Sequence, residues 1–135
     1  MKIVILGISQ ESLCLAHSIL DDDPTRIINI YTEDAEAGFT EDPREPIVLK
    51  DTLRNISSDW YGYIPESVDR LRASSTSSSW LVKALAIRLA ERGTQFLLHT
   101  KIVDIDEETQ EISFRGGGST ASGTHRYDEM YDFRE

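Results

Sequence analysis

The stretch MKIVILGISQESLCLAHSILDDDPTRIINIY, Met1 to Tyr31, constrains the fold of this chain more than any other. Lys2 to Leu6 (KIVIL) is a continuous apolar run rich in β-branched residues, the pattern of a strand buried on both faces. From Ser12 to Leu20 the apolar residues Leu13, Leu15, Ala16, Ile19 and Leu20 fall on helical spacing. The polar turn Asp21-Asp22-Asp23-Pro24 ends that helix, because proline cannot continue it. Arg26 to Tyr31 (RIINIY) predicts a second strand. Strand, helix and strand within about 30 residues form a βαβ unit, which forces parallel pairing and a right-handed crossover.

The rest of the chain extends this plan. Glu33 to Asp59 is acidic, punctuated by Gly38, Pro43 and Pro46, and reads as a surface excursion with a short helix over Asp51 to Ile56. Trp60, Tyr61, Tyr63 and Ile64 form an aromatic cluster expected to pin that excursion to a satellite core. Ser74 to Ser79 (SSTSSS) leads into a periodic apolar face carried by Trp80, Leu81, Ala84, Leu85, Ile87 and Leu89. Ser77, Ser78 or Ser79 can cap this helix, and Gly93 suits its C-terminal end. Gln95 to His99 is a third parallel strand candidate. Ile102 to Ile105 and Glu111 to Phe114 alternate as a hairpin or meander, Gly116 to Thr124 reads as a loop, and Tyr127 to Phe133 as a last strand. The expected fold is α/β: a Rossmann-like three-layer domain with a parallel sheet and a β-meander toward the C-terminus.

Composition narrows the function classes. At 135 residues and 39% hydrophobic, residues 1–135 suit one globular domain. With 24 acidic against 14 basic residues the net charge is -10, which repels phosphate backbones and argues against nucleic-acid binding. No apolar run approaches a membrane span, and MKIVILG is too short for a signal peptide, so the expected location is the cytoplasm. Cys14 is the one cysteine and lies in an apolar helical stretch, where a packed thiol is the expected role. His17, His99 and His125 show no metal-ligand spacing, and Asp104, Asp106, Glu107 and Glu108 lack the ligand order of a calcium loop. No GxSxG elbow or Walker lysine is present, and no residue presents itself as a catalytic acid, base or nucleophile.

The turn GISQES, Gly7 to Ser12, sits where a glycine-rich phosphate loop joins strand to helix. In such a loop the first glycine allows the bend, the second admits the pyrophosphate, and the third lets helix and strand pack closely. Gly7, Ser9 and Ser12 fall on these three places. The serine at the second place crowds a phosphate, although its hydroxyl can donate to one. Glu11 in the first helical turn competes for the same positive helix end. The template also asks for an acid after the second strand to hold ribose hydroxyls. The natural register puts Thr32 there; Glu33 serves if the strand is one residue longer, and otherwise Glu33, Asp34 and Glu36 form a solvated turn.

Together these stretches resemble the N-terminal FAD/NAD(P)-binding part of FAD-dependent oxidoreductases with two dinucleotide-binding domains. KIVILGISQESLCLAHSIL is similar to the family's opening GxGxxGLxxAxxL, with Leu13, Ala16 and Leu20 in agreement. INIYTEDAEAG resembles the second strand with its acidic end. WLVKALAIRLAERGTQFLLHTKIVDID is similar to the helix and strand before the family's meander, and YDEMYDF to its closing strand. The departures are two serines in place of loop glycines, an acid out of register and FRE in place of the closing ATG-like turn. The resemblance implies an adenine dinucleotide, FAD first, bounded by Gly7, Ser9 and Ser12 with Glu33 toward the ribose. The departures support an alternative, a catalytically silent binding or homo-oligomerising module with a surface around Trp60, Tyr61 and Tyr63. In the family the chain continues into the remainder of the active site, so these residues are expected to be either a stand-alone domain or a piece of one.

Overall fold

The computed structural model of the protein describes residues 1–33, 47–70, 73, 75–76, 79–116 and 122–134. The readings made above for Asp34, Glu36, Gly38, Pro43, Pro46, Ser74, Ser77, Ser78, residues 117–121 and Glu135 lie outside the described residues.

The chain opens with β1 (Lys2–Leu6), α1 (Gln10–Asp22) and β2 (Ile27–Tyr31). β3 (Ile47–Val48), α2 (Leu49–Thr52), a 3-10 turn (Leu53–Asn55), α3 (Ser58–Tyr61), α4 (Glu66–Asp69) and β4 (Ser75–Thr76) follow. Then come α5 (Ser79–Glu91), β5 (Gln95–Leu97), β6 (Thr100–Asp106), β7 (Glu111–Gly116), β8 (Gly123–Arg126) and β9 (Glu129–Asp132). The first βαβ unit is as expected. The short helix of the excursion starts at Leu49, two residues before the predicted Asp51, and passes into the 3-10 turn. Gly93 follows α5 at φ +98 with open space where a Cβ would stand, the left-handed C-cap that its position predicts.

The principal sheet runs β5-β2-β1-β9, with every neighbouring pair parallel. β1 is therefore central, with β2 in register on one edge and β9 on the other. Its alternation sorts the run KIVIL into two layers. Ile3 and Ile5 face α1 and α5, packing with Leu13, Ala16, Leu81 and Leu85. Val4 and Leu6 face the other way, toward Tyr31, Leu97, Ile112, Phe114 and Tyr127. The second layer exists because β6, β7 and β8 form an antiparallel meander that lies over this face. An unbroken apolar run is what a strand covered on both faces requires. The meander turns at Asp106, whose carboxylate accepts the amides of Glu108 (3.0 Å) and Thr109 (3.2 Å). No helix among the described residues is long and apolar enough to cross a membrane.

A titratable group, His17, is sealed inside the helical layer. His17 is fully buried between α1 and α5 and stacks on Trp60, with ring centroids 5.5 Å apart and planes 9° from parallel. Its Nε2–H donates to the Leu85 carbonyl (3.0 Å), so Nδ1 is left to accept from Arg92 Nη1 (3.0 Å). Arg92 Nη2 also donates to Asp21 (2.8 Å), which accepts the Trp60 indole N–H as well (2.8 Å). A carboxylate in the last turn of a helix is ordinarily unfavourable there; these two donors give Asp21 a reason to be in α1. Trp60 thus pins α3 to the helical layer, as its aromatic character predicts.

Burial lowers the His17 pKa to about 4, against the upward pull of the Leu85 bond and with a further push from Arg92. The unfolded chain consequently binds more protons than the folded one between the ordinary histidine value and about pH 4. Stability from this residue is full at neutral pH and declines as pH falls through that window. A His17→Phe variant keeps the stack but cannot titrate, and it leaves Leu85 and Arg92 without their partner. It should be about 1–3 kcal/mol less stable at neutral pH, with the gap narrowing toward about pH 4.5. Urea unfolding of both proteins across this range checks it; parallel curves would contradict the assignment of His17.

Candidate functional site

The strand order reverses direction about β1: β2 and β5 lie to one side of it and β9 to the other. In open parallel sheets, ligands bind outside the carboxyl ends of strands at such a switch point. Gly7 stands at this place. Its N–H donates to the Tyr31 carbonyl at the end of β2 (2.8 Å), while the Leu6 carbonyl accepts from Phe133 beyond β9 (2.8 Å). The turn is therefore stitched to both flanking strands. Gly7 has φ +94, and a Cβ on it would meet the carbonyl carbon of Phe133 at 3.3 Å and the nitrogen of Arg134 at 3.4 Å. Glycine is required here twice over, by the dihedral and by the backbone running past it.

Ser9 and Ser12 stand at the second and third places of the phosphate template, where they serve the helix. Ser9 is the N-cap of α1 with an extended backbone (φ -150, ψ 168), a conformation open to any residue. Its Oγ accepts the Ser12 amide (3.0 Å), and the Ser12 Oγ accepts the Ser9 amide (2.8 Å), closing a capping box. Ser12 also donates to the Ser9 carbonyl (3.1 Å) and is fully buried. Serine in the third place thus replaces a close helix–strand contact with a hydrogen bond. The amides of Gln10 and Glu11, the other two at the start of α1, have no hydrogen-bond partner among the described residues. These are the donors that remain for an anion.

β2 ends at Tyr31, so Thr32 takes the first position past the strand, as its register predicts. Thr32 is buried and its backbone is consumed: its N–H donates to Leu97 (3.1 Å) and its carbonyl accepts from Thr100 (2.8 Å). Glu33 is the next residue, exposed, and close enough to Arg134 for its charge to help hold that guanidinium protonated. Gly7, Ser9 and Ser12 therefore form one turn, with Glu33 across the ends of the strands.

Sequence reasoning missed the pair Asp132 and Arg134. Asp132 closes β9 opposite Leu6, and Arg134 grips it through Nε–H to Oδ1 (3.0 Å), Nη2–H to Oδ2 (2.9 Å) and its own amide (3.0 Å). Hydrogen bonding to Arg134 holds the Asp132 carboxyl below its ordinary value, and the same bond raises the pKa of Arg134. The signal was available: in YDFRE an acid at a strand end is followed two residues later by arginine, a spacing that lets a guanidinium fold back. The backbone of this same segment fills the space beside Gly7.

No known family profile matches the sequence, and no curated protein matches it. Solved structures do match. The chain resembles OxyS anhydrotetracycline hydroxylase from Streptomyces rimosus with a TM-score of 0.69 and 14% identity, over 98% of this chain and 31% of that one. It resembles CmlS, a flavin-dependent halogenase, with 0.63 and 16% identity over 96% and 28%. A water-forming NADH oxidase from Lactobacillus brevis bound to NADH gives 0.57 and 15% identity, over 98% and 24%. At such identities the likeness concerns the fold alone, a Rossmann-like α/β arrangement that these oxidoreductases and the halogenase share. The chain spans 24% to 31% of the length of these three neighbours.

The geometry of the turn predicts an order of sensitivities. Gly7→Ala meets both a left-handed dihedral and backbone at 3.3 Å, whereas Gly93→Ala meets the dihedral alone. Gly7→Ala should destabilise by about 2–4 kcal/mol and Gly93→Ala by about 1 kcal/mol. Ser9→Ala should cost about 1 kcal/mol through the lost cap, and Ser9→Gly only a few tenths. Chemical denaturation of the four variants measures the order directly.

Proposed function

We propose that this chain is an adenine-dinucleotide-binding domain, with FAD the favoured ligand, held over the carboxyl ends of β1, β2 and β9. The observation that carries the reading is Gly7 at φ +94, bending the chain from a central parallel strand into α1 at the switch point of the sheet. The fold's neighbours support it: one has NADH bound, and another is flavin-dependent. The turn fits a pyrophosphate through the Gln10 and Glu11 amides and the Ser9 hydroxyl, with Glu33 the candidate for the ribose. Arg134 is the nearby cation that could meet phosphate charge if it loosened from Asp132. A bound flavin would itself supply the redox chemistry; the chain would bind and orient it. No residue is assigned as a catalytic acid, base or nucleophile.

A second reading rests on the closed capping box. Ser9 already accepts the Ser12 amide, and Asp132 already occupies Arg134, so two groups that would meet a phosphate have internal partners. On this reading the domain is catalytically silent and works as a binding or self-associating module in the cytoplasm. Its surface would be the groove of about 340 Å3 lined by Tyr61, Tyr63, Trp80 and Ile87. Tyr63 is 84% exposed and Ile87 50% exposed there, while Trp60 belongs to the His17 cluster instead.

A thermal-shift and absorbance titration with FAD, NAD and NADP separates the two. Ligand at about a hundred times its dissociation constant stabilises the folded state by about 2.7 kcal/mol. A saturable rise with FAD supports the first reading. No rise with any of the three, together with dimers in sedimentation, supports the second. If the capping box is what limits affinity, Ser9→Gly should tighten FAD binding several-fold while barely altering the melting point of the free protein.

A further inference from the structure

The opposite end of the sheet holds a different kind of site. The face of the parallel sheet that the meander covers is apolar near the carboxyl ends of its strands, at Val4, Leu6, Tyr31 and Leu97. Two residues earlier along each strand the same face becomes polar: Lys2 and Asn29 replace the apolar residues, and Gln95 stands beside Asn29 on β5. The meander does not close over this end. Instead a cleft of about 430 Å3 opens there, lined by Lys2, Asn29, Gln95, His125 and Arg126, with Ile27 and Thr124 completing it. That is a volume suited to a small organic molecule.

The charge in this cleft runs against that of the chain. The protein carries a net -10, yet no carboxylate among the described residues lines the cleft. Lys2 and Arg126 have no ion-pair partner among the described residues. The nearby acids are otherwise placed: Asp128 accepts the Lys2 backbone amide at 2.6 Å, and Glu111 stands opposite Arg126 across the β7–β8 ladder without pairing to it. The proximity of the Lys2 ammonium, after burial, contributes to lowering the His125 pKa.

His125 is also held in place from behind. The Tyr31 hydroxyl, buried and with its pKa pushed up to about 12, keeps its proton and hydrogen-bonds to His125 Nδ1. With the phenol donating, the neutral imidazole carries its own proton on Nε2. Phe114 packs against both rings, at centroid distances of 5.3 Å from Tyr31 and 4.7 Å from His125. The cleft thus presents two free cations, an oriented imidazole N–H and two carboxamides. All can donate to an anion, and the imidazole is held in place from behind.

We propose that this cleft, between the amino ends of β1, β2 and β5 and the edge strand β8, binds a small organic anion bearing a carboxylate or phosphate group. It is separate from the dinucleotide turn and independent of whether that turn binds anything. Arg126 offers paired N–H donors to either head group, Lys2 a mobile charge, and Asn29 and Gln95 reach the uncharged part of the ligand.

The test uses inorganic phosphate and succinate as probes at constant ionic strength, followed by calorimetry and by amide chemical shifts of the whole chain. Saturable binding of at least one probe is expected, with shifts centred on Asn29, His125 and Arg126; which probe binds tells the phosphate source from the carboxylate. The double variant Lys2→Gln, Arg126→Gln should weaken that binding at least about tenfold. Lys83→Gln, whose side chain lines the groove on α5, should leave it unchanged. The proposal is overturned if neither probe saturates by about 10 mM, if shifts centre on Gly7 to Glu11 instead, or if both variants bind as the parent does. The shift map is read on the unmodified protein, so a poorly folding double variant would not shield the proposal.

Discussion

β1 is hydrogen-bonded along both edges and covered on both faces, and each other part of the domain takes its place from that arrangement. Buried backbone amides and carbonyls are costly unless paired. A five-residue strand with two parallel partners pairs them, and this pairing then dictates where its neighbours go. α1 must return on the face of Ile3 and Ile5, α5 must lie beside it, and another layer must shield Val4 and Leu6. Because β9 is the second partner, a segment more than a hundred residues downstream completes the support of the first turn. The close approach of Phe133 and Arg134 to Gly7 is the same constraint seen at the strand's end.

That constraint separates architecture from ligand binding. The glycine at the first place of the turn is needed by the fold itself, for the bend and for the passage of the Phe133 backbone. It would remain necessary in a protein that bound nothing. Glycines at the second and third places answer to the phosphate and to helix packing, and it is there that serines stand. A capping box contributes about 1 kcal/mol to the helix without any ligand. The serines have therefore made α1 less dependent on an anion at its amino end. Two first-turn amides remain open, so the turn keeps part of a phosphate site while supporting itself.

The fold was legible in the sequence wherever local pattern and burial agree. KIVIL, the Leu-Ala spacing of α1, the face of α5 with Gly93 after it, and the alternation of β6 and β7 all report the side on which each residue is buried. Less was legible where the structure depends on distant partners. His17 reads as a lone histidine on a helix, and nothing local shows that Trp60, Leu85 and Arg92 enclose it. Of the site, Gly7 was readable because strand-to-helix turns have local rules, whereas Ser9 and Ser12 read only as replacements for glycine and their capping box emerges from the structure. The Asp132–Arg134 clasp has only a two-residue local signature, and its place at the site depends on β9 lying beside β1, which no local pattern shows. The Tyr31–His125 contact joins residues from different layers, and its meaning depends on which face of the sheet each one occupies.

The two ends of the parallel sheet show how one charge pattern can be used in opposite ways. At the carboxyl end the principal cation, Arg134, is clasped by Asp132 and has Glu33 near it, so its positive field is largely cancelled within the protein. At the amino end Lys2 and Arg126 have no such clasp among the described residues, although the chain holds ten more acids than bases. Surface ion pairs add little to stability, so their absence costs the fold almost nothing. Their absence leaves positive charge facing the cleft, uncancelled by any carboxylate among its described lining residues. An anion at the carboxyl end can meet the open Gln10 and Glu11 amides, but it recruits Arg134 only by displacing a carboxylate from a bidentate grip. One arriving at the proposed amino-end cleft would meet Lys2 and Arg126 beside a His125 ring already held by Tyr31.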